Sequence, residues 1–414
     1  MKEEIKSSLD SPAELERLYR KNKSAFQQNF TELYSQIQGQ PAAEFWHERL
    51  NYESDSVSWG TTSEWRFVIV AGLIAGFLAK FPAIFSIEEE FFYPRNMGFI
   101  GISFVTAYFV WKNRLSGKKL GWIAGMTAVA MIYINFLPDD PNSDTLTLAS
   151  MHLPLLLWAV LGFSFVEGKM DFLPGRLEFL RFNGDAVIMG AVLFLSGLLL
   201  SGITIGLFDL IGIKIGEFYM EWIAVFGLAA APLIASHLTQ TNPQLVNKVP
   251  PIIAKIFSPL VLVMLLIYLG AIVYSGKDPY NDREFLLLFN MLLIGVIALI
   301  FFSVAESSEQ GKIDWSTRIL AALSLVTVIV NLIALSAIVF RIAEWGFTPN
   351  RTAVLGINIL MLVHLILVSR NLLSTVRGKT KLGEVGIIIV RYLPVYFIWT
   401  AIVIFIFPFL FGFD

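Results

Sequence analysis

The chain has 414 residues, of which 56% are hydrophobic and only 15% charged, whereas soluble domains carry about 25% charged residues. A net charge of −2 leaves no nucleic-acid footprint, and the absence of cysteine excludes disulfides, cysteine zinc sites and thiol catalysis. The composition, with 35 Phe and 10 Trp, predicts an all-α polytopic transmembrane bundle whose main partner is the lipid bilayer.

Residues 1–64 form a polar N-terminal region without an early apolar core, so no signal peptide is expected there. "SPAELERLYR" opens with Ser11, Pro12 and Glu14, a capping-box spacing with proline at the first helical position. Phe26, Phe30, Leu33, Tyr34 and Ile37 then recur at helical spacing and make one apolar stripe. "PAAEFWHERLNY" reads as a third short helix. Three such helices make a poor core alone. They are expected to pack on one another, on the membrane surface, or on a cytoplasmic protein partner through residues 11–52.

From residue 65 to 414 apolar runs follow closely. Eleven spans are predicted, at about 65–86, 96–112, 119–137, 146–166, 185–208, 218–237, 251–274, 285–304, 317–340, 350–369 and 385–411. One set of alternate loops, "KNRLSGKK", "EGKMDFLPGRLEFLRFN", "LTQTNPQLVNKVP", "AESSEQGKIDWSTR" and "RNLLSTVRGKTKL", holds fourteen Lys and Arg. The other set, from "IEEEFFYPRN" to the C-terminal "FGFD", holds six against thirteen Asp and Glu. Basic loops stay in the cytoplasm. An odd number of spans then puts the N-terminus inside and the C-terminus outside.

The stretch "SIEEEFFYPRN" sets Glu88, Glu89 and Glu90 at the end of the first span. Adjacent carboxylates concentrate cations, and an acid in a first outer loop is also a feature of enzymes acting on lipid-linked sugars. The plainer reading is an acidic rim on the outer face, with Phe91, Phe92 and Tyr93 as an interfacial aromatic belt. Lys80 lies inside the first span, within reach of these glutamates. Charged groups at that depth must pair or snorkel.

Other polar intrusions are His152 in the fourth span, Asn331 in the ninth, Asn358 and His364 in the tenth, and Arg391 in the last. Asn331, Asn358, His364 and Arg391 fall in the last three spans, which predicts a polar interior there. With Lys80 they are the candidate pathway or substrate residues. No catalytic residue is assigned. "DPNSDT" begins like a calcium loop, but the next residue should be glycine and is Thr145, and the twelfth should be glutamate and is Met151. No zinc, phosphate-loop or dinucleotide motif occurs, so no metal or cofactor is expected. Gly72/Gly76, Gly121/Gly125 and Gly202/Gly206 are GxxxG spacings that predict close helix packing. "RIAEWGFTPNR" reads as a tight turn held by an Arg–Glu contact, with Thr348 and Pro349 starting the next helix.

The soluble helical start with "EFWHERLNYE", then "SWG", "EEEFFYPRN" and later "RIAEWGFTPNR" together resemble an uncharacterised family of multi-pass bacterial inner-membrane proteins, filed as a domain of unknown function. The resemblance implies a permease-like architecture and carries no catalytic residues. Span number, short loops and buried polar groups lead to an expected permease-like transporter or channel for a small solute or ion. The alternatives are a membrane scaffold or sensor docking a partner through Phe26, Phe30 and Leu33, and an enzyme on lipid-linked substrates using Glu88, Glu89 or Glu90.

Overall fold

The computed structural model describes residues 2–21, 23–51, 59–210, 213–242, 249–275, 280, 283–307 and 315–413. Much of the loops "LTQTNPQLVNKVP", "SGKDPYNDRE" and "AESSEQGKIDWSTR" lies outside the described residues, as do two residues of "DLIGIKIGE" and part of "LNYE". The chain divides into two compact units, Met1–Ser58 and Trp59–Asp414. Among the described residues there is no strand.

The first unit has four helices, α1 (Lys2–Ser7), α2 (Pro12–Lys21), α3 (Lys23–Ile37) and α4 (Pro41–Asn51). Helices α2 and α4 both start on the proline that suits the first helical position. The apolar stripe of α3 is real, but it faces the unit's own core. Phe26, Phe30, Leu33 and Ile37 are buried with Ile5, Leu15 and Trp46. The Phe26 and Trp46 rings are 4.9 Å apart, and each fully buried large side chain contributes about 1.5–3 kcal/mol. The stripe is therefore not a free docking face. Among the described residues of this unit the exposed large apolar side chain is Phe45, beside a groove that Trp46, Pro12 and Pro41 also line. Helix α1 was not legible, because "KEEIKS" holds a single apolar residue, Ile5.

Acid should loosen this unit. Glu44 accepts hydrogen bonds from the Gly39 amide and the Tyr34 hydroxyl, both at 2.9 Å, and they hold its carboxyl below the usual 4.5. Arg20 and then Arg49 do the same for Glu16. A carboxyl lowered on folding stabilises the fold above its unfolded value and loses that contribution as pH falls through the folded one. Packing around Trp46 should therefore weaken below pH 4.5, and Glu44→Gln should flatten the response. Fluorine NMR of 5-fluorotryptophan at Trp46 checks both.

In the second unit every one of the eleven expected segments is helical. The spans are α5 (Thr62–Ala79); α7 (Glu89–Gly98), a π-wound turn Phe99–Ser103 and α8 (Phe104–Lys112); α9 (Gly117–Phe136); α10 (Asp144–Phe165); and α11 (Leu173–Leu210). Then come α12 (Gly216–Phe218), a second π-wound turn Tyr219–Ala224 and α13 (Val225–Thr241); α14 (Val249–Ser275); α15 (Arg283–Ser307); α16 (Trp315–Trp345); α17 (Pro349–Val376); and α18 (Leu382–Phe405). Short helices α6 (Phe81–Phe85) and α19 (Phe407–Leu410) follow the first and last spans. Among the described residues nine helices are long and apolar enough to cross a membrane. The other two expected spans are the composite second helix and α14, whose apolar stretch Lys255–Gly270 is shorter. The protein is thus an all-α polytopic bundle.

Three boundaries differ from expectation, each for a local reason. The first span stops at Ala79, because Pro82 follows and starts α6, leaving Lys80 at the break. The acidic stretch is mostly not a loop. Glu88 occupies the N-cap and Glu89 and Glu90 the first turn of α7, where carboxylates oppose the positive end of the helix dipole. The basic segment expected as loop 167–184 is largely the start of the 38-residue α11. At 1.5 Å per residue α11 is about 57 Å long, well beyond the ~30 Å hydrocarbon core. Its first part packs inward through Leu177, Phe179 and Phe182. Arg176 and Arg181 there donate to the backbone carbonyls of Val390, at 3.3 Å, and Ala305, at 2.7 Å. Leu195, Leu199 and Leu207, further along, are exposed apolar surface suited to lipid.

Only one GxxxG pair packs as expected. A Cβ on Gly72 would lie 3.0 Å from that of Ala230, and one on Gly76 would overlap the Phe226 ring, so α5 and α13 approach closely there. Nothing stands within 4 Å of Gly121, Gly125, Gly202 or Gly206. Three buried clusters organise the unit. Helices α14 to α18 share the largest. Helices α5, α8, α10, α11 and α13 share the second, and α9 and α10 share the third with Phe99 and Ile404.

Candidate functional site

The last helices do bury polar groups together. Asn331, Asn358 and His364 are each 0% exposed, among the Leu, Val and Ile side chains of the α14–α18 cluster. The Asn358 amide donates to Asn290 Oδ1 at 2.8 Å. His364 Nδ1 and the Tyr396 hydroxyl share a hydrogen bond of 3.1 Å. The imidazole also stacks on Tyr392, centroid to centroid 4.4 Å, and lies 4.5 Å from Phe301. Yet His364 Nε2, Asn358 Oδ1 and both polar atoms of Asn331 are buried without a partner. Groups in this state cost about 1–3 kcal/mol each.

Arg391, one residue before Tyr392, is exposed and does not join this seam. Lys80 lies elsewhere too. It is 7% exposed, with its ammonium 4.8 Å from the face of Trp222 in the second π-wound turn. Ala79 of α5 and Ile100 of the first π-wound turn share a small apolar cluster, with Val225 of α13 packed against it. Local π-winding often marks functional helices. Lys80 makes no ion pair with Glu88, Glu89 or Glu90, which are exposed. His152 bonds only its own helix, Nδ1 lying 2.8 Å from the Leu148 carbonyl. The residues of the expected belt, Phe91, Phe92 and Tyr93, are half-buried. The Tyr93 hydroxyl donates to the Ala79 carbonyl at 3.0 Å, and Phe92 stacks against Phe81.

At the same end of the bundle lies a cleft of about 420 Å³, lined by Glu88, Glu90, Arg95, Asp139, Asp140 and Ser150 among others. Arg95 is 2% exposed. Its guanidinium donates to the Phe91 carbonyl at 3.1 Å and to Asp139 Oδ1 at 3.0 Å, and covers the Phe91 ring at 4.1 Å. Asn96 and Asn135 exchange amide hydrogen bonds of 3.0 Å beside it. The Ser143 hydroxyl donates to the Phe413 carbonyl at 3.0 Å, so the segment after α19 sits at this end.

A buried network at the start of α5 was not foreseen. His237 is 0% exposed and bridges the Tyr108 hydroxyl, at 3.1 Å, and the Trp59 carbonyl, at 3.2 Å. Lys112 donates to the Tyr108 hydroxyl at 3.3 Å and pairs with Glu64 at 3.4 Å. Glu64 closes a capping box with Thr61. Gly60, at φ +75°, leaves room for the imidazole; a Cβ there would stand 2.8 Å from His237 Cε1. Asp185, also unforeseen, is 9% exposed in α11 with Oδ1 unpaired. The turn before α17 is held by Arg351, which donates to the Trp345 and Gly346 carbonyls at 2.8 Å, with Arg341 also over the Trp345 ring. The Arg351 bonds thus go to the backbone rather than to Glu344. Thr348 caps α17 as expected.

Among the described residues no group of His, Asp and Glu is arranged to hold a metal. The class these features define is a polytopic α-helical membrane protein with polar groups buried between its spans. No known protein family matches the chain, and neither a curated protein nor a solved structure does.

Proposed function

We propose that the protein is a permease-like transporter for a small solute in the bacterial inner membrane, with its N-terminal helical unit in the cytoplasm and its C-terminus in the periplasm. The observation that carries this reading is the seam of Asn331, Asn358 and His364, fully buried yet incompletely hydrogen-bonded. A purely structural core satisfies such groups or replaces them; a pathway keeps them for its solute. Lys80, buried with its ammonium over Trp222 of the second π-wound turn, adds a charged group of the kind that marks pathways inside membranes. The orientation rests on charge. Lys112, Arg114, Lys118 and Lys119 cluster at one end of the spans, while Glu88–Glu90, Asp139 and Asp140 sit at the other.

Flux into proteoliposomes over a panel of ions, amines, amino acids and sugars tests transport; rates equal to empty vesicles for every solute reject it. Single cysteines test the topology, since the chain has none. A cysteine at Glu89 should react from outside the cell, and labelling only from the cytoplasm inverts the assignment. The scaffold reading loses its proposed surface, because Phe26, Phe30 and Leu33 are buried in their own unit.

A further inference from the structure

Among the described residues Asp185 is the only acid that is buried. It lies in α11 at 9% exposure, with Oδ1 enclosed and without a donor. Oδ2 has no partner either but is not enclosed, so the carboxyl keeps a route to the molecular surface. Its level in the bundle follows from the helix pairs. Gly190 of α11 lies opposite Ala235 of α13, Ser201 opposite Tyr219 and Ile205 opposite Gly216, so this pair is antiparallel. Counting on along both helices sets Asp185 and Ala186 level with Thr239 and Gln240. Thr239 is one turn beyond Ala235 on the same face of α13, and its Oγ1 is also buried without a partner.

No cation answers Asp185 among the described residues. Arg181, one turn earlier on α11, commits its Nε to the Ala305 carbonyl of α15 at 2.7 Å. Glu178, two turns earlier on the same face, is exposed. On α13, His237 is turned to Tyr108 and Trp59. On α15, the close approach of Gly184 to Phe302 puts Phe301 level with Asp185, and the nearest acid, Glu306, lies beyond Ala305. Lys255 of α14 is exposed.

An ionised carboxylate buried without a partner is costly, and intramembrane acids mark ion and proton pathways. A metal ion needs several oxygen ligands, and no described group is arranged to hold one. An organic cation needs a cavity, and the described clefts do not include Asp185. A proton needs neither. The carboxylate takes it from a hydronium ion, leaving water, and returns it to water on release; only O–H bonds form and break. The acid so formed gains an O–H donor, with the unmet Thr239 hydroxyl level with it.

We propose that Asp185 is a reversible proton-binding site. As the coupling site of transport it rests on the transport reading; as a proton site it does not, so the two are measured apart.

Infrared difference spectra of the full chain in phosphatidylglycerol nanodiscs, between about pH 5 and 9, read the carboxyl directly. Aspartate is labelled with carbon-13 at its side-chain carboxyl. Solvated aspartates, ordinarily near ~3.9, are ionised throughout this range. The wild type should show the C=O band of a protonated acid, carrying the isotope shift and fading as pH rises. Asp185→Asn should lose that band, and Asp185→Glu should keep a band without the isotope shift. Asp171→Asn, at an exposed position of the same segment, should leave it unchanged. The Glu variant keeps the carboxyl, so the test survives if the Asn variant does not fold. Three results overturn the proposal: no isotope-shifted band at any pH, a band that does not respond to pH, or one that both Asp185 variants leave unchanged. Coupling is read in proteoliposomes, where a solute that the wild type accumulates on a pH gradient should be exchanged but not accumulated by Asp185→Asn. The band without flux of any solute keeps the proton site and rejects transport.

Discussion

Gly76→Val is expected to destabilise the membrane-embedded unit by about 3 kcal/mol, the upper part of the usual overpacking range. Gly72 and Gly76 lie on the face of α5 that meets α13. At Gly72 the opposing group is the small side chain of Ala230, and at Gly76 it is the ring of Phe226. Both glycines are buried, so a valine cannot turn its methyl groups to lipid. The ring would have to withdraw to an ordinary carbon contact of about 3.5–4 Å. Its neighbours resist that in a close-packed interior. Alanine at Gly121 or Gly202 makes the opposite case. No atom stands in the way, and alanine gains about 0.5–1 kcal/mol over glycine in a helix. Those variants should be neutral or slightly stabilising. Reversible unfolding in mixed detergent micelles measures all three, and equal midpoints for Gly76→Val and the wild type would show that α5 and α13 do not meet as described.

The three glycine pairs look alike in the sequence, and only their surroundings distinguish them. The same holds for the stripe Phe26, Phe30, Leu33 and Ile37. Its helical period was legible, but what it packs against depends on Ile5, Leu15 and Trp46 from other helices. The spans themselves were legible because a run of about twenty apolar residues has few stable homes besides a bilayer. Of the candidate site, Asn331, Asn358 and His364 were legible, since polar groups within long apolar runs stand out. Arg95, Asp185 and His237 were missed for a shared reason. Each lies close to an expected span boundary, where a polar residue looks like one already in water. Helix α7 starts several residues before its apolar run, which turns Arg95 inward. Helix α11 starts twelve residues before its expected span, which buries Asp185. His237 closes the sixth expected span, and its partners Tyr108 and Trp59 lie far away in the chain. Such a network carries no local signature.

Asn331→Leu is expected to raise stability by about 1–3 kcal/mol and to abolish flux. The asparagine is 0% exposed and neither amide atom has a partner, so it carries a desolvation cost that no bond returns. Leucine has the same heavy-atom branching with bulkier tips and removes that cost, and its neighbours Val330 and Ala334 already belong to the apolar cluster. Asn358→Leu should stabilise much less, or not at all. It deletes the 2.8 Å bond to Asn290. Bonds of this kind between membrane helices are worth about 0.6 kcal/mol on average and reach about 1.7, so that loss offsets the relief of the unpaired Oδ1 and leaves stability near or below the wild type. A buried polar residue kept inside a membrane at a cost to folding points first to a functional role, and a pathway supplies one. Unfolding midpoints and proteoliposome flux on the same preparations decide the matter. A more stable Asn331→Leu protein without flux supports a solute-facing amide. A less stable one with unchanged flux makes Asn331 a structural residue and removes the seam from the transport reading.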